Sequence, residues 1–296
     1  MARFRSAKSQ ANHAVKNKIS LGRARHTRCD DGKIHSVGTA RNYQQALTVF
    51  AKYLQRHHLG DLHSITIETA RQYLHERATE VSQKTLDLDR QAIQIHMGTR
   101  LDVVRSSKET HLSTRSYSAA QVERIASAQS RRNGLSTLIA YNCGLRAHEL
   151  LTIRLADERK ASSHREWSNE RFTGRDGIRY TVIGKGGLIR EVLLSRQLSV
   201  LLEQTRLQEK RQLTDRGVFY SQFYDLSGGR AWSQSFSSAS TRELGFSNGA
   251  HGLRHSYAQE RMEELQRNGM SYESAKATVA QEVGHFDQKT TEAYLR

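Results

Sequence analysis

HGLRHSYAQERMEEL, residues 251–265, is the stretch on which the reading of this chain turns. It reads as a helix, and His251 and Arg254, three positions apart, fall on one face of it. An imidazole beside a guanidinium suits a single phosphate. The guanidinium is a planar fork of donors that stays charged at any biological pH, and the imidazole can carry a proton. His251 and His255 at i, i+4 also have the spacing of a zinc pair. Gly252 and Leu253 stand where the HExxH glutamate would be required, so no metal site is expected.

The same chemistry is spread outward from this stretch. Arg146 follows Gly144 in CGLRAHEL, residues 143–150, where a helix carrying His148 to Ile153 is expected. Lys185 sits in Gly-Lys-Gly-Gly between two β-rich runs, IRYTVI and LIREVLL, a hairpin pattern that projects its ammonium away from the sheet. An ammonium there could protonate a leaving oxygen, and the GxxxxGK[ST] phosphate loop is absent. His285 and Tyr294 share VGHFDQKTTEAYL, residues 283–295. A phosphodiester repels nucleophiles and gathers charge on its non-bridging oxygens at the transition state, so fixed cationic donors are the effective remedy. A tyrosine adds a nucleophile whose phosphate ester conserves the energy of the broken bond, so that resealing needs neither ATP nor a metal.

The 296 residues carry 46 Lys plus Arg against 30 Asp plus Glu, a formal net charge of +16. That balance points to a polyanionic partner, nucleic acid first. Cys29 and Cys143 form no CxxC pair, so neither a zinc knuckle nor a disulfide framework is expected. No apolar run approaches the roughly 18 residues of a membrane span, and the basic N-terminus lacks the apolar segment of a secretory signal. Proline is absent, so turns rest on Gly, Asn, Asp and Ser.

Along the chain, residues 1–35 hold nine Lys or Arg against Asp30 and Asp31 and read as a flexible basic arm. Residues 36–105 read as a small helical domain. Ser36 or Thr39 caps a helix with Tyr43, Ala46, Leu47, Phe50 and Leu54 on one stripe; Thr66 caps a second with Ala70, Tyr73 and Leu74; a third places Leu86, Ile93 and Met97 together. Arg41, Lys52, Arg56, Arg71, Lys84 and Arg90 are expected on its outward faces, where they could meet DNA phosphates. Residues 106–117 read as a linker and 118–296 as a second domain opening on a Ser118-capped helix. Within it, 156–177 reads as a polar loop, 195–212 as helical by spacing, and 227–250 as a Gly- and Ser-rich stretch before helices resume.

The order Arg, Lys, HxxR, GH, Tyr over residues 118–296 resembles the tyrosine recombinase (phage integrase) family. GLRAHEL is similar to its first arginine motif, with Glu149 at the supporting acidic position; IGKGG to its hairpin lysine; HGLRHSYA to its HxLRH box; and VGHFDQKTTEAYL to its GH…TT..Y box. Residues 36–105 resemble its helical core-binding domain at the level of fold. The resemblance implies a mainly α chain with a small β-hairpin or sheet (α+β), a core-binding domain followed by a catalytic domain. It implies that Arg146 and Arg254 clamp the scissile phosphate, Lys185 protonates the 5′-hydroxyl leaving group, His251 assists proton transfer, His285 hydrogen-bonds the phosphate, and Tyr294 forms a 3′-phosphotyrosyl link. The implied function is site-specific DNA recombination, integration or excision of a mobile element. The implied partners are duplex DNA with inverted half-sites, three further copies in a homo-tetramer, and accessory DNA-bending proteins. No cofactor is implied, and the setting is cytoplasmic and nucleoid-associated. Two alternatives share part of the pattern: a type IB topoisomerase-like nicking-closing enzyme, and a catalytically silent DNA-binding architectural protein. Three departures stand out. Arg254 and His285 are 31 residues apart, residues 156–177 look like an insertion, and only Leu295 and Arg296 follow Tyr294, so a docking tail after the nucleophile is expected to be absent or replaced.

Overall fold

In the computed structural model, residues 6–21, 32–109, 114–286 and 291–295 are described. The chain divides into two compact units, residues 1–111 and 112–296. Helices dominate both, with one three-stranded and one two-stranded antiparallel sheet in the second. The mainly α architecture expected from the sequence is the one observed.

Among the described residues the first unit has four helices: α1 (Ala7–Lys16), α2 (Val37–Arg56), α3 (Ile67–Arg77) and α4 (Gln83–Met97). Ser36 and Thr66 accept the N–H of Thr39 and Thr69, each at 3.1 Å, and so start α2 and α3 where the sequence places them. Phe50, Leu54, Tyr73, Leu86 and Ile93 meet in the core. Two expectations fail here. The segment read as a flexible arm contains α1, which buries Ala7, Ala11, Ala14 and Val15 against the same core. Alanine is weakly apolar but lets backbones approach, and a basic helix with an alanine stripe is easily mistaken for a charged tail. Ile34 is buried too, and its segment is held to α1's exit by Ser20 N–H to Ile34 carbonyl at 2.9 Å. The rest of that segment, residues 1–5 and 22–31, lies outside the described residues. Arg90 is also not an outward cation: it donates to Gln94 at 2.9 Å and to the Leu101 carbonyl at 3.3 Å, fastening the segment after α4. Of the stretch read as a linker, Ser106 to Lys108 is bonded into the first unit, with Ser106 Oγ donating to the Val81 carbonyl at 2.6 Å.

The second unit starts with α5 (Ala119–Ser127), capped by Ser118, and α6 (Arg131–Cys143). A single 3-10 turn at Glu149–Leu151 stands where a helix was expected, and β1 (Arg154–Leu155) follows at once. β2 (Ile178–Ile183) and β3 (Ile189–Leu194) form the expected hairpin, pairing in register from Ile178 with Leu194 to Ile183 with Ile189. α7 (Arg196–Glu203) is only half of the helix read over 195–212. The remainder is β4 (Arg206–Asp215), which turns through Arg216 and Gly217 into β5 (Val218–Tyr224). Both turn residues have positive φ, the geometry of a tight two-residue hairpin turn, and tertiary pairing overrides the helical spacing of the strand. The Gly- and Ser-rich stretch forms α8 (Gly229–Leu244), because Trp232, Phe236 and Ala239 give it one buried stripe. α9 (Gly252–Arg267) and α10 (Tyr272–Glu282) complete the unit. α9 packs against α6 and α10, which sets Arg254 beneath the loops that carry Arg146 and His285.

Candidate active site

The site is assembled from four chain segments, and two glycines fix the course of two of them. Gly144 ends α6 at φ +59°, and a Cβ there would lie 2.7 Å from Tyr257 Cδ1. Only glycine combines that left-handed backbone with that closeness, and the reversal carries Arg146 into the site. Gly284 ends α10's exit at φ +73°, where a Cβ would meet Arg190 Cδ at 2.8 Å, and His285 follows it.

Glu149 is the hub. It is fully buried, and its Oε1 accepts Arg146 Nη1 at 2.9 Å while its Oε2 accepts the Arg146 backbone N–H at 2.9 Å and Arg190 Nη2 at 2.8 Å. Arg254 Nη1 lies 3.9 Å from the same Oε2. Burial by itself would raise this carboxyl's pKa, but Arg190, Arg146 and Arg254 outweigh it and hold the group well below the usual carboxylate range. One buried anion thus organises three guanidiniums.

Arg254 has no exposed surface. Its Nη1 donates to the Gly144 carbonyl at 2.7 Å, its Nη2 to the Val283 carbonyl, and its Nε to Tyr294 Oη at 3.3 Å. Both glycine-bearing loops are therefore tied to this one side chain. Burial and the neighbouring Arg146 push its pKa down, yet an arginine remains charged at neutral pH.

Three histidines surround Tyr294. Its ring centroid lies 5.5 Å from His251, 4.9 Å from His255 and 5.5 Å from His285, the last nearly stacked at 26°. His285 Nε2 is 2.8 Å from Arg146 Nη2. A guanidinium can only donate, so His285 accepts there and is neutral, with its proton on Nδ1. Burial, then Arg254 and Arg146, push its pKa down to about 3; His251, although it keeps an exposed edge, is desolvated by the packed site and, with Arg254 and His255 adding to this, pushed down to about 4. Gln259 Nε2 donates to the Tyr294 carbonyl at 3.0 Å, holding the tyrosine in place from α9.

The structure thus gathers Arg146, Glu149, His251, Arg254, His285 and Tyr294. Lys185 is exposed at the β2–β3 tip and makes no ion pair among the described residues. Its neighbour Gly184 nevertheless adjoins the core of the site: a Cβ there would be 3.3 Å from Glu149 Oε1. Of the candidate DNA contacts on the first unit, Arg41, Lys52, Arg56, Arg71 and Lys84 are exposed, with Arg71 paired to Asp102 at 3.0 Å.

Sequence reasoning missed Arg190 and Glu282. Arg190 joins Glu282 to Glu149: its Nη1 donates to the Glu282 backbone carbonyl at 2.6 Å while its Nη2 holds the Glu149 carboxylate. The signal was present, since Arg190 alternates with Val192 and Leu194 on the inward face of β3, and a charge at an inward strand position must be paired. A polar groove was missed as well. Arg230, Ser233, Gln234, Ser237 and Ser238 on one side of α8 line it together with Arg216. The start of α8 is held by Gly229 N–H donating to the Ala147 carbonyl at 2.7 Å.

Comparisons with known proteins fit this geometry. The phage integrase family model matches residues 115–296, and the model of the phage integrase N-terminal SAM-like domain matches residues 32–95. Among solved structures, the XerH site-specific recombinase bound to palindromic difH substrate after cleavage is similar over 99% of this chain and 94% of that one, with a TM-score of 0.59 at 16% identity. The same recombinase before cleavage gives 0.55 at 16% identity, covering 100% and 95%. The Tn1549 transposon integrase with transposon right end DNA gives 0.50 at 12% identity, covering 99% and 95%. At these identities the likeness establishes the fold. A comparison with curated proteins finds no match.

Proposed function

The chain belongs to the phage integrase family of tyrosine recombinases, and from that premise we propose that it cuts and rejoins duplex DNA at specific sites through a covalent bond to Tyr294. The observation that carries the reading is the contact of Arg254 Nε with Tyr294 Oη at 3.3 Å, inside a site that also holds Arg146, His251 and His285. A phosphodiester entering there meets Arg146 at the rim and takes the Arg254 N–H that the phenol now accepts. The phenol oxygen attacks phosphorus, the P–O5′ bond breaks, and the leaving oxygen takes a proton from Lys185. His251, its pKa lowered within the site, accepts the phenol proton, and His285 passes its hydrogen bond from Arg146 to a phosphate oxygen. Resealing runs the same steps backward, with no cofactor.

The biological role we infer is integration or excision of a mobile element, by a homo-tetramer on paired inverted half-sites in the nucleoid, with accessory DNA-bending proteins. The solved XerH and Tn1549 complexes hold difH and transposon-end DNA, which supports duplex DNA as the substrate here. Exposed Arg41, Lys52, Arg56, Arg71 and Lys84 supply phosphate contacts from the first unit, and the α8 groove supplies them from the second. No helix among the described residues is long and apolar enough to cross a membrane. The test is a plasmid carrying two copies of the DNA that flanks the gene. Recombinant product between the copies supports the reading; relaxation of supercoils without recombinants moves the chain to nicking-closing chemistry.

A further inference from the structure

We infer that Trp167, Phe286 and Arg165 form a stacking platform for one unpaired nucleotide of the cut strand, the nucleotide that bears the freed 5′-hydroxyl. The inference rests on the recombinase reading and specifies where that reaction parks a loose end.

Phe286 directly follows His285 and is 38% exposed. Trp167, from the polar 156–177 loop, meets it edge-to-face at 5.1 Å and 61°. Neither ring belongs to the apolar cores of the second unit. Aromatic rings held at a surface outside a core need another reason, and this pair has a cationic setting. The exposed Arg165 guanidinium lies 4.8 Å from the Phe286 centroid, and Arg171 lies 4.6 Å from that of Trp167. A planar cation on the open face of Phe286 occupies the position a base would take, and guanidiniums stack on bases as readily as on rings. Aromatic faces beside cations are how single-stranded nucleic acid is held without regard to sequence.

The platform is built rather than incidental. Trp167 Nε1 donates to the Ser162 carbonyl at 3.0 Å, which fixes the ring. The loop itself is pinned to α10: Ser168 N–H donates to Gln281 Oε1 and Phe172 N–H to Glu282 Oε1, both at 2.7 Å. Its location identifies the ligand. Ser162 exchanges hydrogen bonds with Ile189 at 2.9 and 3.0 Å, and Ile189 is the first residue after the turn that carries Lys185. Trp167 is thus tied through Ser162 to the strand leaving the turn of Lys185, the group proposed to protonate the 5′-oxygen, and Phe286 is next in sequence to His285, the group proposed to bind the phosphate. A strand that is to change partners must leave its old complement, and the base beside the 5′-hydroxyl is the first to do so. Stacking that base on Phe286 holds the end near Lys185 until a phosphotyrosyl bond is presented to it.

The test compares two nicked duplexes in each protein. One carries a three-nucleotide 5′-hydroxyl flap with 2-aminopurine as its terminal base; the other carries the same flap with an abasic terminus. Wild type is expected to quench the 2-aminopurine and to bind the base-bearing flap about tenfold more tightly than the abasic one. In Phe286→Leu the quenching disappears and the ratio falls to about one. Because the ratio is taken within one protein, a folding defect, which weakens both duplexes, does not mimic the result. Arg165→Ala, at an exposed position, serves as the second variant and should lower the ratio severalfold. Unchanged quenching and ratio in both variants would overturn the platform. Trapping of the covalent complex on the same duplexes separates the two readings. Quenching that depends on Phe286 without any covalent complex keeps the platform and removes the recombinase, whereas covalent complex with a ratio of one in wild type removes the platform alone.

Discussion

Glu149 shows how much rests on single side chains in this site. It is the only carboxylate in contact with Arg146, Arg190 and Arg254 among the described residues. Glu149→Gln is expected to destabilise the second unit by about 3 kcal/mol, since removing one partner of a buried charge network leaves the others uncompensated; chemical denaturation measures this. Arg254 makes structural bonds besides its proposed chemical role, so Arg254→Ala would lose both. Arg254→Lys keeps the charge and loses the fork: DNA binding should persist while cleavage falls by about a hundredfold or more. Cleavage near the wild-type rate in that variant would remove Arg254 from the mechanism. Two histidines of the site set a pH dependence. Their folded pKa values lie below the unfolded value near 6.5, at about 3 for His285 and about 4 for His251, so below pH 6.5 the unfolded chain binds protons that the folded chain refuses. Stability is therefore lost as pH falls from 6.5 toward 4, with the Glu149 carboxylate adding to the loss below its unfolded pKa near 4.5. Melting temperature should drop across that range, and His251→Asn with His285→Asn should flatten the upper part of the drop.

At the scale of elements, what could be read in the sequence and what could not differ for a physical reason. Capped helices with large apolar stripes, such as α2 and α3, were legible because Ser36, Thr66 and the Phe50 and Tyr73 stripes are local signals. The site motifs were legible too, because their order along the chain is itself the signal. The elements that were not legible are those whose packing is contributed by distant partners. α1 has only small residues to bury, and β4 acquires its strand form by pairing with β5. Arg190 lies in the hairpin run LIREVLL, and its role comes from β3's inward face, which meets Glu149 and the Glu282 carbonyl. The α1 assignment is directly testable. Deleting residues 1–17 should lower the stability of the first unit by at least about 2 kcal/mol, from the apolar area of Ala7, Ala11, Ala14 and Val15 returned to water. A dispensable arm would leave the melting temperature unchanged. At Gly144, Ala is expected to cost about 2–4 kcal/mol, through left-handed backbone strain and overlap with Tyr257.

On the scale of the whole molecule, the formal net charge of +16 makes the electrostatics of binding long-ranged and sensitive to salt. If cations on the first unit and in the α8 groove of the second meet DNA as proposed, many phosphates are neutralised at once. Affinity for duplex DNA should fall by about a thousandfold between 50 and 200 mM salt, the loss expected for six or more phosphate contacts; a flat response would contradict a DNA substrate. On the proposed reading the chemistry belongs to the second unit, and the exposed cations of the first would add affinity and no catalysis. The most direct measurement is covalent capture. Wild-type protein and Tyr294→Phe are incubated with nicked duplexes made from DNA flanking the gene and resolved on a denaturing gel. A shifted protein–DNA band in wild type, absent from Tyr294→Phe, is the predicted result. A band that persists in Tyr294→Phe, or none in wild type despite tight binding to the same duplexes, would contradict attack by this tyrosine.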